Sequence, residues 1–90
     1  MRYVAIDVPG INQPVRQQVT SSDNSSYTFR LGDKCKVVPV FSTSDDQKYF
    51  GLLGILTRLS DSPGKACLEI EGKGTTEIDI CNLVAPSLFG

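Results

Sequence analysis

Four carboxylates lie close together near the end of the chain. Glu69, Glu71, Glu77 and Asp79 all fall in the run KACLEIEGKGTTEIDI, from Lys65 to Ile80. Carboxylates at this spacing can share acid–base work, hold a divalent cation, or present a negative docking face. Acid–base catalysis requires one of a pair in a desolvated cleft with a shifted pKa. The run instead alternates apolar and polar residues, the period of a half-buried strand, and an exposed strand face offers no cleft. Two carboxylates plus water hold a divalent ion only weakly. Beside that weak site two readings weigh more: an acidic patch that docks a basic protein partner, or a solvated face relieved by Arg58 or Lys36 on a neighbouring strand. In the first, charge complementarity steers association more than it sets affinity.

Phe41, Tyr49 and Phe50 form the second candidate site. They flank the polar run STSDDQ, residues 42–47. Aromatics beside such a loop can line a groove that grips a proline-rich peptide or stacks bases; alternatively, at least two of the three fill a core. Lys48 and Arg58 supply positive charge nearby and Asp45 and Asp46 oppose it, which disfavours nucleic acid. Three cysteines, Cys35, Cys67 and Cys81, complete the reactive inventory. Three thiols cannot all pair within one chain, no Cys-X-X-Cys occurs, and there is no histidine. A zinc site would need three thiolates and a carboxylate. The cysteines therefore read as reduced thiols packed in strands. No catalytic residue, metal site or cofactor is assigned, and the chain is read as non-enzymatic.

The chain has 90 residues, a net charge of −1, 40% hydrophobic and 21% charged residues. This is the make-up of one ordinary globular domain without a basic footprint for nucleic acid. The charge is uneven: residues 30–58 hold five basic and three acidic side chains, and residues 59–90 hold two and five. The apolar run at the start is short and broken by Asp7. It lacks the core of a signal peptide, and nothing later approaches a membrane span. A cytoplasmic protein away from membranes is expected.

The elements that position these residues read as strands. RYVAIDV, residues 2–8, puts Val4, Ile6 and Val8 on one face, and PVRQQVT, 14–20, forms a second strand. Ser21–Ser26 is polar throughout and reads as a mobile loop or linker. Residues 1–26 are thus an N-terminal hairpin, added edge strand or arm, and residues 27–90 the main body of a single domain. A Gly-Asp turn at 32–33 precedes a strand from Lys34 to Phe41, at an edge or bulged at Pro39. YFGLLGILTRL, 49–59, is the next strand, with Gly51 and Gly54 marking a sharp coil at a barrel corner. SDSPG, 60–64, is a turn. KACLEIE, 65–71, places Ala66, Leu68 and Ile70 inward, and Cys67, Glu69 and Glu71 outward. With Gly72–Gly74 as a three-residue connection, Glu71 faces Thr75, Glu69 faces Glu77, and Cys67 faces Asp79. Cys81–Leu83 reads as a 3₁₀ turn and residues 84–86 as a closing strand. At this length a small five-stranded barrel is the economical all-β fold, because closure removes exposed edges. Leu88 and Phe89, just past the barrel, favour self-association as a homo-oligomer.

From FRLGDKCKVV through NLVAP, residues 29–86, the order of features resembles an SH3-like barrel of the bacterial, KOW-related kind. The Gly-Asp turn, the glycine-rich strand FGLLGILTRL, the hairpin and the turn CNL carry the likeness. It implies one of three functions. Small barrel subunits that dock on larger complexes, such as the ferredoxin-docking subunit of a cyanobacterial NADH-dehydrogenase-like complex, have segments similar in placement to YFGLLGILTRLSD and EIEGKG. Nucleic-acid-associated KOW domains would use the basic residues Arg30, Lys34, Lys36 and Arg58. The plasmid-borne type II dihydrofolate reductases, whose catalytic pore forms in a tetramer, resemble TFRLGDKCK. Their pore-lining Val-Gln-Ile-Tyr has only TEIDI as its counterpart here, and Val37 stands in place of their pore lysine, so reductase activity is not expected. The expected function is a protein-binding or adaptor module.

Overall fold

The computed structural model describes residues 1–86, and Leu88 and Phe89 lie outside them. Eight strands run β1 Arg2–Asp7, β2 Val15–Val19, β3 Ser25–Arg30, β4 Lys34–Val37, β5 Leu53–Leu59, β6 Lys65–Ile70, β7 Gly74–Asp79 and β8 Leu83–Val84. Two short 3₁₀ helices, Asp45–Tyr49 and Ile80–Asn82, complete the described elements. The fold is all-β, as expected. β4 to β8 form a five-stranded sheet in the order β7-β6-β5-β4-β8, curled into a half-barrel. β1 to β3 form a separate three-stranded sheet with β1 in the middle.

The N-terminal hairpin belongs to this chain's own core. Val4, Ile6 and Phe29 from the small sheet pack with Cys35, Val37, Leu56, Leu68, Ile78 and Ile80 from the large one in a single cluster. The small sheet thus covers the inside of the half-barrel, which alone would leave its apolar face in water. β1 is antiparallel to β2 and parallel to β3. This corrects the polar linker expected at Ser21–Ser26: Ser25 and Ser26 begin β3 and lie beside Arg2 and Tyr3. Strand pairing extends into the serines because β3 is half-buried, with Phe29 inward and its alternate residues exposed.

Two other boundaries differ from expectation. β4 ends at Val37 rather than running to Phe41. Pro39 has no amide for a ladder, and the chain leaves the sheet there, held by Val38 and Val40 amides donated to Asn82 at 2.9 and 3.0 Å. β5 begins at Leu53, so Gly51 lies in the turn before it, at φ +82°. Gly54 does sit inside the strand, and close approach explains it. A Cβ there would meet Ile70 Cγ1 at 2.9 Å and the Glu69 carbonyl at 3.1 Å.

The free edges of β3 and β7 are blunted in the same way. Each ends with an amide taken by an aspartate side chain: Arg30 N–H by Asp33 at 2.8 Å and Asp79 N–H by Asp46 at 3.1 Å. Fewer open amides remain to template another strand.

Candidate functional site

The β6–β7 hairpin turns one residue earlier than the glycines suggest. Its register pairs Ile70 with Gly74, Glu69 with Thr75, Cys67 with Glu77 and Lys65 with Asp79. The connection is therefore Glu71–Lys73. The Lys73 amide donates to the Ile70 carbonyl at 2.9 Å, and Gly72 takes φ +81° as a type II turn requires. This corrects the expected facing of Glu69 with Glu77. No two of the four carboxylates stand directly opposite, and Glu69 and Glu77 become diagonal neighbours, so the like-charge cost is reduced. Each strand carboxylate also has its own local partner. Glu69 accepts from Thr75 Oγ1 at 2.8 Å, Glu77 from Ser60 Oγ at 2.7 Å, and Asp79 lies 3.9 Å from Lys65 Nζ. The relief comes from these groups rather than from Arg58, whose guanidinium donates to the Leu59 carbonyl. Glu71 is exposed in the turn.

The aromatic trio is not assembled into one groove. Tyr49 packs against the core. Phe41 and Phe50 are 55% and 59% exposed, so two of the three do not fill the core. Phe41 lines a groove of about 320 Å³ with Arg2, Asp23 and Pro39, whereas Tyr49 lines a different one with Asp45, Lys48 and Thr76. Phe50 stands at the turn that leads into β5, where the Leu52 amide donates to the Tyr49 carbonyl.

The cysteines are all free and buried. Cys67, expected outward, is only 1% exposed. It stands between Arg58 and Glu77 in register, long side chains able to cover a short one. Burial, with Asp33 nearby, pushes the Cys35 thiol up to about 12. Burial raises Cys81 as well, partly offset by Arg2. Thiols held protonated are poor nucleophiles and poor metal ligands. Among the described residues no group of three or more histidine, cysteine or acidic side chains could hold a metal ion.

Two features were not picked out in the sequence. The first is a buried polar junction. Asp46 is 5% exposed and Asn82 4%. Asn82 Nδ2 donates to Asp46 Oδ2 at 2.7 Å and to Ser44 Oγ at 3.2 Å. Close by, Arg2 is 6% exposed, donates to the carbonyls of Val38 and Cys81, and pairs with Asp23 at 3.2 Å. These contacts tie the loop after β4, the last 3₁₀ helix and the small sheet together. Every buried side-chain polar atom among the described residues has a partner, which marks the junction as structural.

The second feature is apolar and exposed. Leu53 and Ile55 are 42% and 38% exposed on the outer face of β5, the middle strand of the large sheet. In register, Lys36 lies beside Leu53, and Ile55 has Lys34 on one side and Glu69 on the other. The outer face thus carries an apolar centre, a basic flank on β4 and an acidic flank on β6. No family model, curated protein or solved structure matches the chain. No helix among the described residues is long and apolar enough to cross a membrane.

Proposed function

We propose that this chain is a non-enzymatic binding module, an SH3-like half-barrel that acts through protein–protein contact on the outer face of its five-stranded sheet. The observation that carries the reading is the pair Leu53 and Ile55, exposed two residues apart on the central strand. A single exposed aliphatic is ordinary, but a solvated sheet face normally alternates to polar residues there. An apolar stripe rimmed by charge is the form a contact surface takes. Glu69 belongs to that surface, and Glu71, Glu77 and Asp79 extend its acidic side. The carboxylates sit on open strands with local hydrogen-bond partners, which suits docking better than proton transfer. Three buried, unpaired thiols fit a reducing cytoplasm.

Lys34 and Lys36 on the same face keep a nucleic-acid-associated, KOW-like domain as the second reading. One experiment separates the two. A photo-crosslinking residue replaces Ile55, and in a control replaces Thr28, which is exposed on β3 of the other sheet. Protein adducts concentrated at position 55 support the proposal. Nucleic-acid adducts there, formed on irradiation at low salt and absent on irradiation at moderate salt, favour the KOW-like reading. Equal labelling at the two positions rejects this face as the working surface.

A further inference from the structure

Resting on the reading of that face as the contact surface, we propose that its occupant is a second copy of this chain, docked face to face about a two-fold axis running along β5.

The register supplies the argument. Lys34, Ile55 and Glu69 lie in one row across β4, β5 and β6. Lys34 and Glu69 are exposed, and Glu69 uses Oε2 for Thr75, leaving Oε1 without a partner among the described residues. A half-turn about an axis along β5 exchanges left and right while keeping each row at its own height. β4 of the copy then lies over β6, and β6 of the copy over β4. Lys34 of each chain meets Glu69 of the other, and this happens twice. Ile55 meets Ile55, and Leu53 meets Leu53. A two-fold axis across the strands instead lays β4 over β4 and brings lysine against lysine. Charge therefore selects one of the two ways of stacking this face on itself. Stacked sheets lie about 10 Å apart and cross at about 30°, a gap and an offset that lysine and glutamate side chains span.

The area sets the strength. The strands β4 to β8 hold 4, 7, 6, 6 and 2 residues, and at about 4.8 Å between strands and about 3.3 Å per residue they present roughly 400 Å² in projection. A standard interface buries about 800 Å² on each partner. The contact therefore falls in the weak class, and a monomer–dimer equilibrium that moves with concentration is expected.

Sedimentation of the full chain over a concentration series tests this, with circular dichroism to show that each variant folds. The wild type is expected to shift from monomer to dimer as concentration rises. Lys34→Glu and Glu69→Lys, each placing like charges across the interface, are expected to weaken the dimer about tenfold or more. The double variant restores the pairs with their signs exchanged and is expected to return to within about threefold of the wild type. A dimer indifferent to these changes overturns the proposed docking. A monomer at every concentration, with crosslinks from position 55 to some other protein, overturns the second copy while leaving the contact face in place. A monomer with no preferential crosslinking at position 55 overturns both.

Discussion

The buried junction and the outer face of β5 invert the usual arrangement of a globular protein. Inside, Arg2, Asp46 and Asn82 are almost wholly buried; outside, Leu53 and Ile55 are well exposed. The difference lies in the partners. Each polar group of the junction has one within the chain: Asp46 takes Asn82 Nδ2 and the Asp79 amide, and Arg2 takes two carbonyls and Asp23. Burial without such partners would cost several kcal/mol. The outer apolar residues have charged cross-strand neighbours but no cover from the rest of the described chain. Exposure of this kind adds little to the stability of one chain. The junction therefore belongs to folding, and the outer face is left open for the contact proposed above.

That division breaks most sharply at Asn82. Asn82→Ala removes the side chain that satisfies Asp46 and the Val40 amide and leaves a buried carboxylate short of a donor. A loss of about 3 kcal/mol in unfolding free energy is expected, read from urea unfolding followed by circular dichroism. A loss below about 0.5 kcal/mol would mean that water replaces the amide, and that the junction is not a fixed clasp.

The outer face should behave in the opposite way. Ile55→Thr keeps a β-branched residue suited to a strand and trims a side chain that is already 38% exposed. Measured where the protein is monomeric, unfolding free energy should fall by about 1 kcal/mol or less. Concentration-dependent association should be lost. A fall as large as that at Asn82 would make the stripe part of the fold rather than a surface.

Alternation in the sequence located most of the strands, since Ala66, Leu68, Ile70 and Ile78 follow the period of two that a buried sheet face imposes. The hairpin register was not legible. Gly72 and Gly74 both permit positive φ, and only the closing pair Ile70–Gly74 decides which residues form the turn. The junction was illegible for a different reason. Asp46 sits in a run of polar residues and looks solvated, and its burial depends on Asn82, 36 residues away. The exposed stripe left a trace in FGLLGILTRL, where apolar residues occupy both faces of the strand. Coiling at a barrel corner accounts for Gly51 and Gly54 in that run but not for its apolar surplus. In a strand with one face in a core, the same surplus also signals a second surface to be covered.

The smallest test lies at the rim of the junction, where the Arg2–Asp23 pair meets solvent. Asp23 accepts a hydrogen bond from Ser25 Oγ and lies beside the Arg2 guanidinium. The serine bond has the largest effect and favours the ionised form, burial opposes it, and the arginine adds to the serine, so the carboxyl is held below the ordinary 3.8. The folded state therefore binds this proton less readily than the unfolded chain does. Its contribution to stability is complete above pH 3.8 and is lost as the pH falls toward the lower folded value. Asp23 is 42% exposed at its side chain, so solvent and salt screen the pair and the effect stays well below that of Asn82. Unfolding midpoints of the wild type and Asp23→Asn, followed by circular dichroism through the acid range, should differ near neutrality and converge below about pH 4. Coincident curves at every pH would show that Arg2 is held by the Val38 and Cys81 carbonyls alone, with the aspartate adding nothing to the clasp.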